Sequence, residues 1–222
     1  MNYYSLNKKS SNVTFKEALI KGLAPDKGLY FPEKINKLSE SFIANINNYS
    51  NEEIAYECIH QFIGSEIPES DLRKIITDVL SFDFPLTKLN DQISFLELFH
   101  GPTMAFKDVG ARFMARCLAY FLKNQDEKKS VTVLVATSGD TGGAVASGFY
   151  KVKGIKVVIL YPKGKVSNVQ EKQLTTLGEN ITALEVDGTF DDCQAMVKKA
   201  FLDEDLSNNI NLTSANSINI AR

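Results

Sequence analysis

The chain has 222 residues, a length that suits one large domain or a small domain joined to a medium one, and either has room for a sizeable core. Its 25 basic and 27 acidic side chains leave a formal charge of -2. Neither sign gathers into a block or a one-sided stripe, so nucleic acid and anionic membrane are not expected as partners.

Cys58, Cys117 and Cys193 lie far apart, form no C-x-x-C and leave one thiol over under any single disulfide, as reduced, buried cysteines do. Met1 to Ser10 is polar and lacks the apolar centre of a signal peptide. No later run approaches the ~18 apolar residues that a membrane span needs. The expectation is a soluble cytoplasmic protein. Its oligomeric state is not legible.

From about residue 14 to 80 the apolar periodicity is mostly helical, over Thr14 to Lys21, Ser39 to Ile46, Asn51 to Phe62 and Pro68 to Ser81. Turn signals such as Asp26-Lys27-Gly28 separate these stretches. Asn51 followed by Glu52 and Glu53 reads as a capped helix start, because acids favour the positive end of the helix dipole. Residues 1–89 therefore read as a small helix-rich domain.

After Leu89 the rhythm becomes apolar strand, turn and amphipathic helix. Ile93 to Phe99 precedes a helix at Lys107 to Lys123, and Val131 to Ala136 precedes one at Gly143 to Tyr150. Ile155 to Tyr161 then precedes Asn168 to Leu177, Ile181 to Val186 precedes Phe190 to Phe201, and Ile210 to Leu212 is again strand-like. Strands that are apolar nearly throughout, joined by helical crossovers, predict a parallel sheet covered on both faces. The fold class is α/β: a parallel sheet flanked by helices over residues 90–222, with the helix-rich domain added in front.

Chemistry concentrates where strands give way to helices. In Glu97-Leu98-Phe99-His100-Gly101-Pro102-Thr103-Met104-Ala105-Phe106-Lys107-Asp108 a strand ends, a Gly-Pro turn follows, and Lys107 stands where the next helix begins. The helix dipole and desolvation by Phe106 and Val109 both disfavour an ammonium at that place, and a neutral amine is what Schiff-base chemistry requires. A solvated surface lysine is the alternative.

Ala136-Thr137-Ser138-Gly139-Asp140-Thr141-Gly142-Gly143-Ala144 follows the next apolar strand. Hydroxyls, glycine-exposed amides and a helix N-terminus meet there at the carboxyl end of a parallel strand, an arrangement suited to a carboxylate or phosphate. A tight turn with packing glycines fits the same residues. The spacing is neither the dinucleotide fingerprint nor a Walker loop.

Tyr161-Pro162-Lys163-Gly164-Lys165-Val166-Ser167 places two cations and a hydroxyl on the same rim, suited to an anionic group, and Ser167 or Asn168 can cap the following helix. An exposed turn with two solvated lysines fits its composition equally well. Thr213-Ser214-Ala215-Asn216-Ser217-Ile218-Asn219 gathers polar side chains after the last strand, either as a site or as helix caps. His60 reads as an ordinary helix residue. His100 is nearer the candidate site, but no Cys or Glu stands at ligand spacing and no metal is expected. No G-x-S-x-G elbow is present.

Taken in order, Glu97 to Asp108, Thr137 to Gly142, Pro162 to Ser167 and Ser214 to Asn219 resemble the successive motifs of the threonine synthase family. Phe15-Lys16-Glu17-Ala18 and Ala24-Pro25-Asp26-Lys27-Gly28-Leu29-Tyr30 resemble its N-terminal domain. The resemblance covers nearly the whole chain and implies the first part of a type II pyridoxal-phosphate (PLP) fold, one that converts O-phospho-L-homoserine and water to L-threonine and phosphate. By that resemblance Lys107 would carry the cofactor as a Schiff base and move protons at the substrate's α and β carbons, while PLP serves as electron sink. Ser138, Gly139, Asp140, Thr141 and Gly142 would lie at the cofactor. Thr137, Ser138, Thr141, Lys163, Lys165, Ser167, Ser214, Asn216 and Asn219 would face the substrate. Many type II relatives place an asparagine where Asp140 stands, so its role is open. The family's glycine-rich loop for the cofactor phosphate lies beyond the last of these motifs, and the chain reads as a truncated form of the family enzyme. The alternatives are another type II activity, β-replacement or amino-acid deamination, and a noncatalytic module.

Overall fold

The computed structural model describes residues 1–123 and 130–222. The opening segment forms strands β1 (Asn2–Ser5), β2 (Val13–Thr14) and β3 (Tyr30–Pro32), with helices α1 (Phe15–Lys21), α2 (Glu40–Ala44), α3 (Asn51–Ile63) and α4 (Glu69–Val79). The helices fall where periodicity places them. Their starts are set by side-chain caps: Thr14 with Glu17 at α1 and Ser50 with Glu53 at α3 each form a reciprocal capping box. The cap of α3 is therefore Ser50, one residue before the expected Asn51. The three strands, in antiparallel order β2-β1-β3, are an addition to the helix-rich reading, since two to four residues are too few to display an alternation.

Next come an antiparallel pair, β4 (Leu86–Lys88) and β5 (Ser94–Leu96), and then α5 (Lys107–Lys123). The reading of Ile93 to Phe99 as a member of the parallel sheet is corrected here. Only Ser94–Leu96 of that stretch is a strand, among the described residues it pairs with β4 alone, and every residue of both strands is exposed. Apolar content suggests a buried segment, whereas its partner among the described residues is the short strand before it.

The remainder alternates as expected: β6 (Val131–Ala136), α6 (Asp140–Phe149), β7 (Ile155–Pro162), α7 (Asn168–Thr175), β8 (Ile181–Val186), α8 (Phe190–Leu202), α9 (Glu204–Asn209) and β9 (Asn211–Ser214). Helix α6 begins at Asp140, three residues before the expected Gly143, and α9 is an additional short helix. The four strands run parallel in the order β8-β7-β6-β9.

Alternation along β6 divides the core. Val131, Val133 and Val135 join Ala111, Met114, Val145 and Phe149 in the main cluster, whereas Leu134 and Ala136 meet Cys193 and Val197 of α8 on the other face. The main cluster also takes in Tyr3, Phe15, Leu19, Leu72 and Ile76, so the opening segment and the sheet share one apolar core. Polar contacts reinforce that join. Thr213 Oγ1 and Asn219 Nδ2 donate to the Leu19 carbonyl at 3.2 and 2.8 Å, and Arg112 donates to Asp78 O at 2.6 Å. Among the described residues no helix is long and apolar enough to cross a membrane.

Candidate active site

Lys107 is the first residue of α5, and the turn before it is built to put it there. The buried Asp108 carboxylate accepts from Thr103 N at 2.9 Å and Thr103 Oγ1 at 2.6 Å, drawing the Gly-Pro-Thr turn onto the first turn of the helix. Such charge-assisted bonds are about twice as strong as neutral ones. Gly101 is required by the same closeness: a Cβ there would stand 2.5 Å from Asp108 Oδ2.

The Lys107 amine lies 3.6 Å from Asp140 Oδ2 and 4.7 Å from the centre of the Phe106 ring, with 28 % of the side chain exposed. The side chain is covered less than its flanking residues suggest, because Phe106 is itself 62 % exposed. The amine pairs with the Asp140 carboxylate at the edge of an open cleft.

The loop after β6 is organised by Thr137, which is buried. Its Oγ1 accepts from Gly139 N at 3.0 Å and Gly142 N at 2.8 Å and donates to Gly139 O. Two of the amides expected to face an anion are thus already satisfied internally, and the Thr137 hydroxyl is used as a brace. Gly139 has φ 140°, in the region that favours glycine, and a Cβ there would collide with the Gln170 side chain at 2.4 Å. Gln170 approaches because it has two tasks. Its Oε1 accepts from Ser167 N at 3.0 Å, completing the cap of α7, and its Nε2 donates to Asp140 Oδ1 at 2.8 Å.

A cleft of about 470 Å³ opens at the carboxyl ends of β6 and β9. It brings together Lys107, Thr137, Ser138, Thr141 and Asn216 of the predicted residues, with Phe190 and Gln194 of α8 opposite. Asp140 reaches this group through its ion pair with Lys107. Gly139 and Gly142 shape the loop from behind. The structure does not bring the others into the cleft. Lys163 pairs with Glu185 at 3.8 Å, Lys165 is exposed, and Ser167 is occupied as the cap of α7. Ser214 Oγ accepts from Asn216 N, and the buried Asn219 spends its amide on Leu19 O and Ser214 O. A larger hollow, about 1120 Å³, lies at the amino ends of the strands between Ser130, Lys153, Asn180 and Asn211. Open parallel sheets bind ligands at the opposite end, so the Lys107 cleft is the candidate.

Sequence reasoning missed Arg222, whose Nη1 donates to Lys107 O at 2.8 Å and whose Nε donates to Ala215 O at 2.6 Å. Burial lowers its pKa, partly offset by Asp108. No local pattern marks it, because its partners are distant in sequence. Gln170 was findable, since Ser167-x-x-Gln170 is a capping-box spacing.

The chain belongs to the pyridoxal-phosphate dependent enzyme family, whose model matches residues 77–221. Within it the resemblance is to threonine synthase: the model described as threonine synthase N terminus matches residues 2–80. The threonine synthase of Serratia marcescens is 46% identical over 222 residues, covering 100% of this chain and 51% of that protein. The crystal structure of threonine synthase from Escherichia coli matches with a TM-score of 0.91 at 44% identity, covering 100% of this chain and 51% of the other. The PLP-bound threonine synthase of Brucella melitensis gives 0.91 at 37% identity, with 100% and 48% covered. The chain spans about half the length of the curated relatives it matches.

Proposed function

We propose that this chain provides the lysine-bearing part of a threonine synthase, the PLP-dependent lyase that converts O-phospho-L-homoserine and water to L-threonine and phosphate. The observation that carries the reading is the Lys107 amine, at the start of α5, facing a cleft at the carboxyl ends of the parallel strands. The residues present fit the cofactor: a reachable primary amine, hydroxyls on Ser138 and Thr141, and a volume within the usual range for small-ligand sites. Bound there, the cofactor supplies an electron sink for electrons released at the substrate's α carbon.

Lys107 is the residue that would hold it, and its amine would take and return protons at the substrate's α and β carbons. Asp140, fixed by Gln170, would orient that amine. Ser138, Thr141 and Asn216 would hold the substrate carboxylate and help to hold the cofactor. Loss of phosphate from the γ carbon needs its charge neutralised; Lys163 and Lys165 follow β7 outside the cleft, so they would serve only if Lys163 left Glu185 and both reached over the rim. The three free thiols support the cytoplasm as its compartment.

Borohydride reduction after incubation with PLP, followed by peptide mapping, tests the assignment. The pyridoxyl mass is expected on Lys107 and lost in Lys107→Ala. Label spread over other lysines, or undiminished in that variant, overturns it. O-acetylserine and threonine, offered beside O-phosphohomoserine, separate β-replacement and deamination from the proposed reaction.

A further inference from the structure

Helix α7 meets the start of α6 where α6 carries no side chains. A Cβ on Gly139, the cap of α6, would stand 2.4 Å from the Gln170 side chain, and Cβ atoms on Gly142 and Gly143, in the first turn, would stand 2.8 Å from Leu174 Cδ2 and 2.9 Å from Gln173 Oε1. Gln170, Gln173 and Leu174 are spaced i, i+3 and i+4, so they form one face of α7. Val169, Lys172, Thr175 and Thr176, on the remainder of that helix and at its end, are exposed. Glycine weakens a helix, and two in the first turn of α6 need a reason, which is this close approach.

Each of the two glutamine amides reaches a different support of Lys107. Gln170 Nε2 donates to Asp140 Oδ1, and the other oxygen of that carboxylate faces the lysine amine. Gln173 Nε2 donates to Thr103 O at 3.4 Å. Thr103 in turn holds the Asp108 carboxylate through its N–H and its hydroxyl, which fixes where α5 begins and so where Lys107 stands. The counter-ion of the amine and the turn behind it are therefore held from one face of one helix.

We propose that Gln173 is a positioning residue for Lys107, acting through the Thr103 turn while Gln170 acts through Asp140, and that Gly143 is a glycine in order to admit it. The glycines after β6 then serve the contact with α7 as well as the loop. That Lys107 is the lysine to be positioned rests on the function proposed above. The hold on its turn rests on the geometry.

Hydrogen exchange of the cofactor-free chain tests the hold. The Thr103 and Met104 amides are bonded within the turn, to Asp108 and to the Gly101 carbonyl. In Gln173→Met, which keeps the length of the side chain without its amide, both should exchange about two- to tenfold faster, the change that loss of one neutral hydrogen bond brings. Gly143→Ala displaces Gln173 from the opposite side and should do the same. The two substitutions together should do no more than either alone, because they remove one interaction. Thr175→Ala, on the exposed face of α7, should leave exchange in the turn unchanged. Pyridoxyl labelling of Lys107, trapped with borohydride over a range of PLP concentrations, tests the consequence. Gln170→Glu keeps an acceptor for the Ser167 amide but cannot donate to Asp140. That variant and Gln173→Met should each lower the maximal labelling rate roughly threefold or more, as a misplaced reacting group does, at an unchanged half-saturating PLP concentration. Circular dichroism of the variants should match the parent chain. Unchanged exchange at Thr103 and Met104 in both Gln173→Met and Gly143→Ala overturns the proposal. Additive effects of those two substitutions overturn it as well, and so does labelling of Gln173→Met at the parent's maximal rate. A parent chain that takes no label at Lys107 sinks the proposed reaction instead, and exchange alone then decides whether Gln173 holds the turn.

Discussion

Two strand-to-helix junctions bear the residues proposed for the chemistry of this molecule, and they are held in different ways. The one after β6 emerges from a strand covered on both faces and is tied down by a buried hydroxyl. The one after β5 leaves an exposed hairpin and becomes anchored only at Asp108, where the Thr103 turn meets α5. Both segments are rich in apolar residues. The difference teaches that apolar sequence is buried only where a second layer exists to cover it, and that a site shared between two junctions is no firmer than the less covered of them.

The largest effect that would break this contrast comes from phenylalanine deletions. Phe149→Ala, in the main core with no exposed surface, should lower unfolding stability by about 3–5 kcal/mol. Phe95→Ala, on the hairpin, should change it by less than about 1 kcal/mol. Urea denaturation of both variants measures this, and equal losses would mean that the hairpin is already packed.

Threonine hydroxyls sharpen the comparison at a smaller scale. Thr137→Val keeps the shape but strands the Gly139 and Gly142 amides, and should cost about 1–3 kcal/mol. Thr87→Val removes only an exposed bond to Glu97 and should stay within about 0.5 kcal/mol of the parent. A smaller loss, about 1 kcal/mol, is expected for Gln170→Leu, which removes the reciprocal half of the α7 cap. That variant should also change the rate of Lys107 pyridoxylation, because Asp140 loses its anchor. An unaltered rate would remove Gln170 from the site.

The smallest effect is electrostatic. His100 first, and Thr87 second, hold the Glu97 carboxyl below the usual carboxylate range. A depressed folded-state pKa contributes stability that is fully present above the unfolded value of about 4.3 and is lost as pH falls through the folded value. Amide signals of residues 94–100 should therefore shift in an NMR titration below about pH 4, and Glu97→Gln should abolish the shift. A titration identical in the two proteins would show that Glu97 does not couple to the hairpin.

Much of this was legible in advance for a local reason. The helices, the alternation from Val131 onward and the position of Lys107 depend on periodicity and punctuation that lie within a few residues of each other. The cap at Ser167 likewise needs only its own neighbour Gln170. The short strands at the opening were hidden because two to four residues show no period, and α9 was hidden because one turn and a half has little face to display. Asn219 and Ser214 are site candidates by the family resemblance of their motif, and spacing shows nothing of their contacts. In the structure Asn219 donates to the Leu19 carbonyl, two hundred positions away, and Ser214 Oγ accepts from Asn216 N.

The amino-acid sequence by itself determined the α/β class, the strand–helix alternation from Val131 onward apart from the short α9, and which two junctions bear a lysine and a hydroxyl-rich loop, since each follows from short-range spacing and chain direction. Only the tertiary structure decided that Thr137 braces its loop, that Asp140 faces Lys107 at 3.6 Å, that Arg222 holds the Lys107 carbonyl, and that Ser94 to Leu96 lies bare. Those outcomes depend on partners brought near by folding, and on whether a second layer of chain is there to cover an apolar strand. No local pattern encodes either.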